Sequence, residues 1–154
     1  MYMKTTISEQ PTLPYREKAA WLSFAAILAA FIPYFAISAA WSPQSVQFPA
    51  GLHQLGLFFA ATMFQVLILA VGHAVLRLSS PAEASAPPDE RDRDIERRSI
   101  TWAYYALISA MVIVGIVMPF RAHGWTVINA GLLGIVIAEL VHYGGIAARY
   151  RRQA

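Results

Sequence analysis

Four long apolar stretches, roughly residues 19–41, 50–76, 100–120 and 124–147, fill most of this 154-residue chain and limit its folds more than any other feature. A helix rises about 1.5 Å per residue, so a hydrocarbon core of about 30 Å is crossed by about 20 apolar residues. Each stretch meets that length. Within a bilayer the backbone must satisfy its own hydrogen bonds, and continuous apolar runs of this length do so as helices. The expected fold is therefore all-α: an integral membrane four-helix bundle. The four spans and one connecting loop, about 77–99, leave little chain for anything else, so 1–154 is expected to be a single membrane domain.

Charge confirms where the chain meets water. Hydrophobic residues make up 57% of the sequence and charged residues 14%, nearly all of the latter outside the four stretches. The first stretch contains Ser38-Ala39-Ala40, which resembles a cleavage site, but its apolar run far exceeds the 7–15 residues of a cleaved signal, so it is read as a retained span. With no cysteine, disulfides, thiolate metal sites and cysteine nucleophiles are excluded.

Lys and Arg beside span ends are retained on the cytoplasmic side during insertion. Lys4, Arg16 and Lys18 precede the first span; Arg77, Arg91, Arg93, Arg97 and Arg98 lie between the second and third; Arg149, Arg151 and Arg152 follow the fourth. Only Arg121 of the twelve basic residues falls on the other side. Both termini are expected in the cytoplasm, an N-in/C-in topology. The net charge of +3 is accounted for by this partition, and the loop's bases are interleaved with acids, so no nucleic-acid partner is expected. The partner certain for such a chain is the lipid bilayer.

The loop divides in two. Ser79 to Pro88 is rich in proline and small residues, lacks apolar surface and reads as a mobile linker. Asp89 to Ser99 is densely charged and continues into the third span. Asp89 can cap that helix, and Asp92 and Glu96 can each reach an Arg three or four positions away. The run Asp89-Glu90-Arg91-Asp92, then Ile95-Glu96-Arg97 and the pair Tyr104-Tyr105, resembles the signature of small bacterial four-span inner-membrane proteins of uncharacterised function. The resemblance covers about 20 residues well and the rest through the span pattern. It implies a bacterial inner-membrane location and brings no catalytic residue. Asp89, Glu90, Arg91, Asp92, Glu96 and Arg97 are the candidate docking surface for a membrane or cytoplasmic protein partner; the competing reading is a salt-bridged helix start.

An ionisable side chain in hydrocarbon costs at least about 2.5–3.5 kcal/mol, so it should face the bundle interior and have a partner. Glu139 is the acid within a span, and His142, three residues later, shares its helical face. With His73 of the second span they form the candidate proton or substrate site, or else a buried hydrogen-bond network. Glu-x-x-His also occurs in metal-binding bundles, but those need carboxylates from facing helices, and no second acid lies in a span, so no metal site is expected. His73 with His142, and His53 with His123, can be drawn as axial pairs for b-type haem. The outer pair would lie at or beyond the membrane edge, so no cofactor is expected.

Gln65 and Asn129 can hydrogen-bond between helices. Ala130, Gly134 and Ala138 make a smooth stripe for close helix approach, within the bundle or at a homo-oligomer seam. Nothing resembles a phosphate loop, a nucleophilic triad or a zinc protease motif. Three functional readings follow, in this order: a non-enzymatic accessory or regulatory protein; a small transporter or proton-linked carrier using Glu139 and His142; a b-type haem membrane protein.

Overall fold

A computed structural model describes residues 14–40 and 50–152. The chain is all-helical there, and four helices are long and apolar enough to cross a membrane: Tyr15–Ala40, Gly51–Ser79, Glu90–Phe120 and Trp125–Arg152. We name the elements α1 (Tyr15–Ala40), α2 (Ala50–Ser79), a short α3 (Pro81–Ser85), α4 (Glu90–Val112) and α5 (Trp125–Arg152).

The helix boundaries follow from local chemistry. Asp89 caps α4: its Oδ1 accepts from the Asp92 N–H at 2.6 Å, and the Asp92 side chain accepts from the Asp89 N–H at 3.3 Å. This reciprocal pair satisfies two backbone donors that the first turn leaves open. The far end of α4 loosens into a π-helical turn, Ile113–Val117, and a 3-10 turn, Met118–Phe120. Pro119 has no N–H to give the carbonyl four residues back and its ring crowds that carbonyl, so the α-helical ladder cannot continue through it. Gly124, at φ 62°, then turns the chain into α5 in a conformation that only glycine adopts without strain. Pro33, by contrast, sits within the continuous α1.

The linker expectation needs correcting. Between α2 and α4, residues 81–85 form α3, and Glu83 accepts from the Tyr15 N–H at 3.0 Å while Arg16 reaches the Ala86 carbonyl at 3.4 Å. Pro81 at the first turn favours a helix start, and contacts with the beginning of α1 supply what the segment's own apolar surface does not.

The long helices pack in the spatial order α2, α1, α5, α4, with no extended contact between α2 and α4. Glycines set the closest approach. A Cβ at Gly134 would lie 2.7 Å from the Ala110 Cβ, and one at Gly145 3.1 Å from the Ser99 Oγ, so α5 lies almost backbone to backbone on α4. The Gly134 and Ala138 stripe is thus used inside the molecule. On the opposite side of α5, Val136 joins Ile27, Ala30, Phe31 and Tyr34 of α1 in the core, with Phe58 of α2 packed against them. The apolar windows of α2 and α4 contain no buried residue. The array is consequently open along one side, between its two flanking helices.

Candidate functional site

The starts of α1 and α4 meet the ends of α2 and α5 at one end of the array, hereafter the charged end. Arg16 of α1 pairs with Asp92 of α4 at 3.0 Å, and the Tyr150 hydroxyl of α5 donates to the other Asp92 oxygen. One carboxylate therefore joins three helices. The sequence led us to expect Asp92 to pair along its own helix; instead the intrahelical pair is Asp94 with Arg98, at 2.9 Å and well exposed. Exposed pairs of that kind contribute about 0–1 kcal/mol, whereas the partly buried Asp92 junction fixes how α4 sits against α1 and α5.

Beside this junction lies a cavity of about 270 Å³. All four long helices line it: Arg16 and Ser23 from α1, His73 from α2, Asp92 and Glu96 from α4, Tyr143, Ile146 and Tyr150 from α5. Tyr143 of α5 and Ser23 of α1 both line it at the α1–α5 seam. Of the six docking candidates, Asp92 is partly buried, and Asp89, Glu90, Arg91, Glu96 and Arg97 are exposed, Asp89 as the cap of α4.

Glu139 is exposed, which corrects the expectation that it is buried against histidine. The reason lies in the two faces that α5 commits to its neighbours. Gly134, Ala138 and Gly145 serve α4, while Asn129, Val136 and Tyr143 face α1, and Glu139 falls on the open side between them. His142 is partly buried with its ring on Tyr143 at 4.8 Å between centroids, and its Nδ1 is sealed without a hydrogen-bond partner. Glu139 and His142 are therefore adjacent on the helix but not bonded. His73 lines the cavity, His142 does not, and no group of three or more His, Asp or Glu among the described residues is placed to hold a metal ion. His53 and His123 are exposed at the opposite end from His73 and His142.

What the sequence did not disclose is that one face of α5 lines a cavity. Residues three, four and seven apart share a helical face, and Glu139, Tyr143, Ile146 and Tyr150 have that spacing. The last three line the cavity, so Glu139 is the next group on the same wall, deeper in the apolar part of the helix. It lies about 16 Å along the axis from Tyr150, at 1.5 Å per residue. The spacing was readable from the chain, and His73 was among the expected residues; Arg16 and Ser23 on the facing helix were not.

A second polar cluster ties the other end together. Tyr34 donates to the Asn129 Oδ1 at 2.7 Å, Asn129 donates to the Ser38 Oγ at 2.7 Å, and Ser38 donates to the Gln54 Oε1 at 3.2 Å. Tyr34 and Gln54 are each 1% exposed. The cluster joins α1, α2 and α5 with its members paired, as buried polar groups require, and we assign it a structural role. Gln65, the other expected interhelical residue, has no comparable partner among the described residues.

No protein-family model matches the chain, and no curated protein or solved structure matches it.

Proposed function

We propose that this is a small proton-linked carrier of a bacterial inner membrane, with both termini and the charged end in the cytoplasm and Glu139 as the group that takes up and releases the proton. One observation carries the reading: Glu139, unpaired at bilayer depth, continues the α5 face that lines a polar cavity at the charged end. An unpaired ionisable group at that depth is costly to keep and is a functional candidate by default. The basic partition supports the orientation, and the resemblance of the charged start of α4 supports the location. His73 and Tyr143 line the cavity, and Tyr143 and His142 lie one turn along α5 from Glu139.

An accessory or regulatory role is the second reading. It is favoured by the exposed Glu90, Glu96 and Arg97 at the start of α4 and by the lack of buried residues in the apolar windows of α2 and α4. In that case a protein partner covers what the chain leaves open.

Single cysteines in this cysteine-free chain test both orientation and access. An impermeant thiol reagent added outside intact cells should label Ser45→Cys, at a position outside the described residues, and not Ser85→Cys. Added to inverted vesicles, it should modify Glu139→Cys at least tenfold faster than Ile137→Cys, which lies on the apolar groove between α1 and α5. Labelling of position 85 but not 45 from outside would reverse the orientation. Equal inertness at 139 and 137 would remove the path to Glu139.

A further inference from the structure

We infer that the open side of the array at Glu139 binds a membrane-partitioning organic cation, one with an apolar body and a weakly hydrated positive charge. This rests on the carrier reading and names its substrate class. The choice follows by chemistry. Glu139 has no ion pair or hydrogen bond among the described residues, so its carboxylate can accept a cation without first breaking a contact. An anion would meet that carboxylate, and Asp92 and Glu96 at the cavity, while Arg16 is already held by Asp92. A bare divalent metal ion needs about six oxygen ligands, and the site brings one carboxylate. A compact, strongly hydrated amine would lose its water and regain too little at bilayer depth. An organic cation with a shielded charge avoids that loss. Its body rests against Ile135 and lipid on the open side, and its charge meets Glu139.

Proton and cation compete for the same oxygens. Protonated Glu139 releases its proton when the cation pairs with the carboxylate, and the reverse step returns the cation as the proton binds, with no covalent change and charge balanced. The other charged or titratable groups near this path are Tyr15 and Arg16 of α1, His73 of α2, Asp92 and Glu96 of α4, and His142, Tyr143 and Tyr150 of α5.

The test is equilibrium dialysis of radiolabelled tetraphenylphosphonium against the full chain in nanodiscs, with empty nanodiscs as the blank. Binding should be saturable at pH 8 and should weaken as the pH is lowered and protons compete for the carboxylate. Glu139→Gln should bind at least tenfold more weakly at pH 8 and lose most of the pH dependence. Glu139→Asp should retain binding. Wild-type binding that survives Glu139→Gln, or equal loss in the Asp and Gln variants, would overturn the inference. The two levels separate by infrared spectroscopy of the same samples. No phosphonium binding alongside a titrating carboxyl band from Glu139 rejects the substrate class and leaves the proton site standing. No such band rejects both.

Discussion

Replacing Asn129 with Leu should lower the unfolding free energy by about 2–4 kcal/mol, read as a fall in the melting temperature of detergent-purified protein. Asn129 accepts from Tyr34 and donates to Ser38, so Leu leaves a phenol that is 1% exposed and a hydroxyl that is 5% exposed each short of a partner. A buried unsatisfied polar group costs about 1–3 kcal/mol, more than the average of about 0.6 kcal/mol for a membrane hydrogen bond measured by double-mutant cycles. The orphaned groups decide the size of the effect. Tyr34→Phe removes the phenol together with its need for a partner and should cost less, about 1 kcal/mol. The double variant should then be less destabilised than the sum of the two. Additivity would mean that Tyr34 and Asn129 act independently and the cluster is not one network.

The second large effect belongs to the α4–α5 seam. Gly134→Val should destabilise the protein by about 1–3 kcal/mol, the range for overpacking a close contact. The first added carbon would stand 2.7 Å from the Ala110 Cβ and 3.3 Å from the Met111 Cε. The methionine tip can swing aside; Ala110 has no rotamer to change, so the helices must separate. Gly131→Ala, where the nearest atom is 3.8 Å away, should be close to neutral in the same melt. Equal effects at 134 and 131 would show that α4 does not lie as closely on α5 as described.

The span count, the helical class and the cap at Asp89 were legible because length, apolarity and capping chemistry are local. So was the use of Asn129, since an amide in hydrocarbon must find a partner on another helix. The partner itself was not legible, because Tyr34 and Ser38 are one turn apart on α1 and nothing in their spacing names α5. Asp92 is the instructive case. Intrahelical spacing offered it nearby arginines, and tertiary geometry gave it Arg16 and Tyr150 instead, residues 76 positions upstream and 58 downstream. Glu139 misled for a related reason: interior and exterior of a bundle are defined by which faces neighbouring helices take, and α5 gives two opposite faces to α1 and α4. The face through Glu139, Tyr143, Ile146 and Tyr150 was present in the sequence as a spacing, without the cavity that gives it meaning.

The central claim is that Glu139 exchanges a proton with water at the charged end. Infrared difference spectroscopy on reconstituted membranes tests it most directly, by following the carboxyl carbonyl stretch as pH is raised. The wild-type protein should show a protonated carboxyl band that disappears as the group ionises. Glu139→Gln should lack that band while melting within a few degrees of wild type, as an exposed, isosteric replacement should. An unchanged carboxyl titration in Glu139→Gln would contradict the account, because the titrating group would then lie elsewhere in the chain.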